Sequence, residues 1–539
     1  MKYMTKLPFR RLFLIMAVLG FTAGNGFGQK EVNVSTDLKF REVLQLLDKY
    51  YIDSVNEAKL TEIAIRAVLK DLDPHSTYVS SKDVKRMNEP LEGSFEGVGI
   101  NYVILEDTVF ISNVVRSGPA DKAGIVNGDR LMTIDGAEVS GKKSGDQKLL
   151  STLRGKKGTQ VNVGILRMPG NHALNFAIER DRIPIHSVDL SYMVDAETGY
   201  IKINRFSANT VKEFHEAIKT LKEAGMQDLI LDIRGNTGGY LNAAVDLSDE
   251  FLQKDQAIVS TRGLNSPETM FKAHGRGKFE SGPLIVLLDE SSASASEILA
   301  GAIQDQDRGI LAGRKTYGKG LVQKPYYLPD GSMVRLTTAR YYTPSGRCIQ
   351  KPFSDGTDKY FKEIALRRER GEFVHPDTIQ FPDSLRYTTA GGRIVYGGGG
   401  IVPDVFLPAD SVTLNPFYIQ AMKGNTMTDL CLDYLEGKRE MLKTRYPDPE
   451  LFLKSFVVGD SLFTDMVSRV KEGKDTALFQ EKDVVSASGI LKNQFKANIA
   501  RDLYDPATYF RVLLSQDPWM SKVGELMNEG KVFSYLEEK

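Results

Sequence analysis

Three serines alternate with alanine in Ser291-Ser-Ala-Ser-Ala-Ser-Glu297, and a lysine bracketed by glycines follows in Tyr317-Gly-Lys-Gly-Leu-Val-Gln323. A serine hydroxyl and a neutral lysine amine can act as nucleophile and general base, the parts of an acyl-transfer site. Small neighbours suit the serines, because a peptide backbone must approach them closely. A lysine buried among apolar groups loses affinity for its proton and moves towards the working range of a base. In an extended chain Lys319, Leu321 and Gln323 share one face, which places Gln323 to hydrogen-bond and orient the lysine. Each motif also has a plain structural alternative: a Ser/Ala run suits a helix N-cap, and Gly-Lys-Gly suits a solvated turn. Ser292, Ser294 and Ser296 all compete for the nucleophile's role.

The flanking residues predict what positions these groups. Leu284 to Leu288 is a short apolar run that reads as a strand buried on both faces. From Ser296 to Asp305 the residues Ile298, Leu299, Ala302 and Ile303 recur at helical spacing. The serines therefore sit at a strand-to-helix corner, where unpaired N–H groups and the helix dipole favour negative charge. Ile310 to Gly313 reads as another short strand before the lysine. Leu229 to Ile233 is a third, ending in the turn Arg234-Gly-Asn-Thr-Gly-Gly239, whose backbone N–H groups can point at an oxyanion. Such donors are worth about 3 to 4 kcal/mol each in a transition state.

Other chemistry has less support. The six histidines, His75, His172, His186, His215, His274 and His375, all lie outside the serine and lysine block. Neither His-Glu-x-x-His nor Cys-x-x-Cys occurs, so zinc has no motif and no metal or cofactor is expected. Lys plus Arg equals Asp plus Glu at 70 each, which leaves no overall field to draw in nucleic acid or an anionic membrane. Cys348 and Cys431 are far apart in sequence and are read as unpaired. A length of 539 residues with 41% apolar and 26% charged residues fits a globular chain of several domains.

Lys2, Lys6, Arg10 and Arg11 precede an apolar stretch from Leu12 to Ala23 and a small-residue zone from Gly24 to Gln29. This is the pattern of a signal peptide, expected to be cleaved near residue 28, and it implies export to the periplasm. The stretch is short for a membrane span, and no cysteine follows it to accept a lipid. Residues 29–89 read as helices, with Leu38, Val43, Leu46, Leu47 and Tyr50 on one face. They are interrupted by the turn Asp71-Leu-Asp-Pro-His-Ser-Thr-Tyr78.

Taken together, these motifs resemble the carboxy-terminal processing peptidases, also called tail-specific proteases, over Asp37 to Gln350 and again at Gly400-Ile-Val-Pro-Asp404. The spacing between the serine and lysine motifs is that of the family. The resemblance implies that the middle serine, Ser294, is the nucleophile, Lys319 its base and Gln323 the lysine's support. It further implies an oxyanion hole made by the amides of Gly239 and Ala295, with Asp232 and Arg234 structural. The Asp-Pro-His-Ser segment matches a family linker, giving His75 a structural role. Residues 90–182 look like a PDZ domain whose Gly97-Val98-Gly99-Ile100 loop captures a peptide carboxylate, with a helix from Ser144 to Leu153 as the other wall of its groove. Arg154, just after that helix, is a candidate for a regulatory contact with the peptidase core.

The resemblance also implies an α/β, crotonase-like (ClpP/crotonase) peptidase core at 183–410; two regions fall outside the resemblance, the first a charged insertion within that core at 353–395. The second, a helical extension at 411–539, carries the single tryptophan, Trp519. Cys348 stands where the family has a small residue, without warrant for a thiol mechanism. The implied function is a serine endopeptidase that cuts exported polypeptides near accessible C-termini, with no nucleic-acid partner and with a homo-oligomer or adaptor contact open. A silent PDZ adaptor is the competing reading, but Ser294, Lys319 and Gln323 are all retained. An acyl-CoA enzyme on a similar core suits neither the PDZ module nor the signal peptide.

Overall fold

The computed structural model describes residues 36–139, 145–379, 382–410, 412, 415–472, 479–528 and 532; the expected signal peptide and Ser144 lie outside them. Among the described residues, those up to Leu69 form one unit and those from Lys70 onward another. The first unit holds α1 (Thr36–Tyr50) and most of α2 (Glu57–Leu72). The expected helical periodicity is present in α1, but Leu38, Val43, Leu46 and Tyr50 are exposed.

The second unit starts with β1 (Thr77–Val79) and α3 (Ser81–Glu92), so the region up to residue 89 is not helical throughout. The next strands are β2 (Ser94–Gly97), β3 (Ile100–Leu105) and β4 (Thr108–Val114), followed by α4 (Pro119–Ala123). Then come β5 (Arg130–Ile134), β6 (Ala137–Glu138), α5 (Asp146–Leu153), β7 (Gln160–Arg167), β8 (His172–Glu179) and β9 (Asp181–Pro184). Strands β3-β4-β5-β7-β8 form an antiparallel sheet with β6 at its side, and β2 pairs with β9. Val98, Ile111, Leu131, Leu149 and Val163 make this region's own core.

Next come β10 (Val188–Met193), β11 (Thr198–Ile203), α6 (Thr210–Glu223), β12 (Asp228–Asp232), α7 (Leu241–Asp249), β13 (Ala257–Gly263) and β14 (Ser266–Lys272). They lead into β15 (Leu284–Leu288), α8 (Ala295–Asp305), β16 (Ile310–Gly313), β17 (Leu321–Tyr327), β18 (Met333–Tyr342) and α9 (Thr357–Glu369). After α9, β19 (Arg386–Thr388) pairs with β20 (Ile394–Tyr396), and β21 (Val405–Phe406) completes the central sheet. That sheet runs β10-β11-β12-β15-β16-β21 and is parallel except for β10. A second sheet, β1-β18-β13-β14 with β17 on β18, stands beside it.

Side-chain alternation in the parallel strands explains the layers. Leu229, Leu231, Leu284, Val286 and Leu288 point to the side packed by Phe214 and Ile218 of α6, Leu247 of α7 and Leu299 and Ile303 of α8. Ile230, Ile285 and Leu287 point to the other side, where they meet Leu514, Trp519, Val523 and Met527. Each large apolar side chain so buried stabilises the fold by about 1.5 to 3 kcal/mol. The two-sided burial expected for Leu284 to Leu288 is therefore observed, and its second layer comes from the C-terminal extension.

Among the described residues the extension is helical: α10 (Pro416–Met422), α11 (Thr426–Leu435), α12 (Arg439–Arg445), α13 (Pro449–Ser455), α14 (Asp460–Glu472), α15 (Glu481–Leu503), α16 (Pro506–Leu514) and α17 (Pro518–Asn528). Phe417, Leu430, Phe452, Leu491 and Phe495 form a core internal to it. It also touches the sheet of β3 to β8, with Glu436 paired to Arg130 of β5 at 2.9 Å and the Asp502 carbonyl accepting from Asn127 just before β5 at 3.0 Å.

Candidate active site

The three serines have different surroundings. Ser292 Oγ donates to the Ile233 carbonyl at 2.9 Å and Ser296 Oγ to the Asn236 carbonyl at 2.8 Å, and both side chains are fully buried. Ser294 is only partly buried and opens into a cleft of about 430 Å³ that Lys319 and Gln323 also line. It stands at the N-cap of α8 with φ 57° and ψ −112°. A serine in that region is strained by of order 1 to 3 kcal/mol, a cost that persists only where the surrounding structure imposes it.

What imposes it is a clamp on two main chains. The buried Glu297 carboxylate accepts from Ser294 N–H at 2.8 Å and Lys319 N–H at 2.9 Å through Oε2. Its Oε1 accepts from Gly318 N–H at 2.7 Å and Thr316 Oγ at 2.6 Å. On the carbonyl side, the Tyr341 hydroxyl lies 3.1 Å from Ser294 O and 2.6 Å from Lys319 O. One carboxylate thus ties the two N–H groups and one phenol the two carbonyls. Burial pushes the Glu297 carboxyl above its ordinary range, and the hydrogen bonds from Thr316, Lys319, Gly318 and Ser294 oppose that shift. Neither Glu297 nor Tyr341 was singled out by sequence reasoning: the Ser294-x-x-Glu297 spacing marks a helix cap, but nothing local reveals the partners in the lysine segment about twenty residues away.

Lys319 is held below the ordinary lysine range, first by burial and then by the positive charge of Arg335, against the pull of Glu297 and Asp73. No hydrogen bond joins Ser294 Oγ to Lys319 Nζ. Gln323, expected to bond the lysine, instead donates to Thr337 Oγ1 at 3.3 Å. A register shift between Val322 and Gln323 interrupts the alternation on which the expectation rested. Thr337 Oγ1 in turn donates to Asp73 at 3.0 Å, and Asp73 also accepts from Ser76 Oγ at 2.5 Å. The turn at Asp71 to Tyr78 therefore backs the Gln323 strand. His75 meets the Tyr360 hydroxyl at 2.7 Å, and burial followed by the Lys319 charge takes its pKa down to about 4.

The turn before Gly239 is equally pinned. Asn236 donates to Ile203 O at 3.0 Å, accepts from Gly238 N–H at 2.9 Å and receives Ala293 N–H on its carbonyl at 3.0 Å. Gly239 has φ +155°, and a Cβ there would come within 2.0 Å of the Phe206 carbonyl, so no other residue fits. Among the described residues neither Gly239 N–H nor Ala295 N–H has an acceptor, and both residues line the cleft. Asp232 and Arg234 form a buried ion pair at 2.6 Å on the other side of the sheet.

Helix α9 lies behind the lysine segment: its buried Arg367 donates to Thr316 O at 2.9 Å and Lys315 O at 2.6 Å. Cys348 and Cys431 are both free thiols, and burial raises the pKa of each.

In the 97–100 segment, Gly97 ends β2, Val98 is buried in the local core, Gly99 precedes β3, and Ile100, the first residue of β3, is half-buried against that core. Arg154 pairs with the buried Glu89 and stacks on Phe95, with its guanidinium carbon 4.8 Å from the ring centroid. Its partner thus lies on α3 rather than in the 183–410 region. The same helix contributes Asn88, Leu91 and Glu92 to the cleft wall.

Residues 197–358 match peptidase family S41, residues 97–179 match the PDZ domain, and residues 417–505 match a family of unknown function. The carboxy-terminal-processing protease of Bartonella bacilliformis is 35% identical over 317 residues, covering 58% of this chain and 72% of that protein. The carboxy-terminal processing protease CtpA of Bacillus subtilis is 34% identical over 362 residues, covering 65% of this chain and 76% of that protein. Among solved structures, the photosystem II D1 C-terminal processing protease is 27% identical and covers 69% of this chain and 93% of that one, with a TM-score of 0.35. Relatives this similar over this much of their length establish that the chain belongs to the carboxy-terminal processing proteases of peptidase family S41, and is a serine peptidase with a PDZ domain.

Proposed function

We propose that the chain cleaves polypeptides near their C-termini with Ser294 as nucleophile and Lys319 as general base. The observation that carries this reading is the fate of the three hydroxyls: Ser292 and Ser296 are spent on backbone carbonyls, while Ser294 opens into the cleft with Lys319. Neutral Lys319 takes the Ser294 proton as Oγ attacks the peptide carbonyl. The amides of Gly239 and Ala295 receive the developing oxyanion. Lys319 then delivers the proton to the leaving amine, and water releases the acyl-enzyme. Since Oγ and Nζ are not hydrogen-bonded, substrate binding must bring them together. Gln323 supports this step from its strand.

The 97–100 loop receives the substrate's terminal carboxylate and α5 flanks its groove. Arg154, through Glu89 on α3, connects groove and cleft and is the regulatory contact. The core is crotonase-like, bounded as the sequence divides it at 183–410. Its substrates are exported proteins, in keeping with an N-terminal pattern that directs the chain to the periplasm. Among the described residues no helix is long and apolar enough to cross a membrane. A homo-oligomer or an adaptor is compatible with this reading.

The test is hydrolysis of an unstructured polypeptide by folded Ser294→Ala. Complete loss is expected; retained turnover would remove Ser294 from the role.

A further inference from the structure

Three segments carry the proposed machinery: the turn from Arg234 to Gly239, the run from Glu290 to Ser294, and the run from Arg314 to Lys319. Each begins, on the far side of the sheet, with a charged residue. Two of them, Arg234 and Arg314, meet at the extension's Trp519, and the third, Glu290, is bonded to Arg314. The guanidinium carbons of Arg234 and Arg314 each lie over the indole, 4.9 Å from the ring centroid. Arg314 Nε donates to Glu290 at 2.7 Å, and Arg234 donates to Asp517 at 2.6 Å. Asp517 also accepts Trp519 N–H at 2.9 Å at the start of α17.

The indole is itself fixed. Its Nε1 donates to Pro408 O at 2.8 Å, and its Cζ3 edge lies against Gly313, where a Cβ would stand 3.1 Å away. Gly313 has φ +136° and ends β16; a Cβ there would strike the Leu288 carbonyl at 2.0 Å, so the glycine is required by the neighbouring strand, and the ring edge packs beside it at the start of the lysine segment. Two guanidinium groups brought near one another repel; an aromatic face attracts both, Glu290 takes Arg314, and Asp232 and Asp517 share Arg234. A cavity of about 650 Å³ adjoins the cluster, with Arg234, Gly235, Asp289 and Arg314 in its wall. Without the indole Arg314, bonded otherwise to Glu290, gains space to move with the loop attached to it, whereas Arg234 keeps its paired bonds to Asp232 and loses only the ring beneath it.

We propose that Trp519, aided by Asp517, is a positioning residue for the peptidase site, so that the C-terminal extension is needed for turnover and not for binding a substrate tail. This rests on the assignment of Ser294 and the Gly239 turn to catalysis. A merely structural tryptophan would alter thermal stability and leave kcat of the folded enzyme unchanged.

The test uses the full chain with Trp519→Ala, Trp519→Phe and Asp517→Asn. It reads kcat and KM on an unstructured polypeptide, binding of a fluorescent peptide with a free C-terminus, and the rate of labelling by a fluorophosphonate whose site is mapped by mass spectrometry. Trp519→Ala is expected to lower kcat and labelling rate about tenfold or more while KM and peptide affinity stay within about twofold. Trp519→Phe, which keeps an aromatic face, should recover most of that loss. Folded Trp519→Ala with wild-type kcat and labelling rate would overturn the proposal, as would Trp519→Phe no better than Trp519→Ala. If Trp519→Ala does not fold, unchanged kcat in both Trp519→Phe and Asp517→Asn overturns it, and reduced kcat with intact tail binding in Asp517→Asn supports it. Labelling of wild type at a residue other than Ser294 would instead sink the underlying site assignment.

Discussion

The floor of the cleft and its open side are built differently. On the floor, the main chains at Ser294 and Lys319 are joined twice, through the Glu297 carboxylate and the Tyr341 hydroxyl, and every one of these contacts is 3.1 Å or shorter. On the open side, Ser294 Oγ and Lys319 Nζ share a cleft without a hydrogen bond between them. Backbone placement is settled before substrate arrives, and only side-chain rotations remain for it to complete. In the proposed mechanism, such a site has its backbone geometry in place and gains the Ser294–Lys319 contact when a peptide fills the cleft.

The comparison can be broken from either side. The largest effect is expected on the open side: Lys319→Ala should lower kcat by about 10²- to 10⁴-fold, the usual worth of a general base, with the melting temperature little changed or raised. Wild-type kcat in that variant would remove lysine from the chemistry. Glu297→Gln attacks the floor. An amide has one acceptor oxygen and an NH₂ that would face former donors, so at least two buried donors lose their partner at about 1 to 3 kcal/mol each. Both a lower melting temperature and a kcat reduced by about tenfold or more are expected. Tyr341→Phe removes only the carbonyl tie and should cost roughly tenfold in kcat with smaller loss of stability, measured on the same substrate.

The smallest effect is electrostatic. Protonated Lys319 is inert as a base, so activity rises as pH rises through its pKa. Burial and the Arg335 charge set that rise below the ordinary lysine range. Arg335→Gln removes one depressing charge, so the rise should move to higher pH and activity at neutral pH should fall. An unmoved pH–kcat/KM profile would show that Arg335 does not act on the base.

Much of this was legible in sequence, for reasons that also explain the rest. Ser294, Lys319 and Gly239 stand out because glycine, serine and lysine in short motifs have few purposes, and the strands before them are marked by apolar runs. Which serine is free was not settled by the residues alone, because it depends on carbonyls at Ile233 and Asn236 that come from another strand and its turn. Gln323 was placed by strict alternation, which the bulge at Val322 breaks. Trp519 looked like an isolated aromatic in a mixed-charge helical tail; its meaning depends on arginines some two hundred or more residues earlier, which no local pattern reports. The exposed face of α1 shows the converse: periodicity predicts a helix but not what, if anything, covers it.

The most direct test of the account is the pH dependence of Ser294 phosphonylation, a single chemical event at the nucleophile, compared in wild type and Lys319→Ala. The account predicts a wild-type rate that climbs with pH through one ionisation below the ordinary lysine range, and a Lys319→Ala rate that is far slower and lacks that ionisation. Labelling of Lys319→Ala at the wild-type rate with the same pH dependence would contradict it.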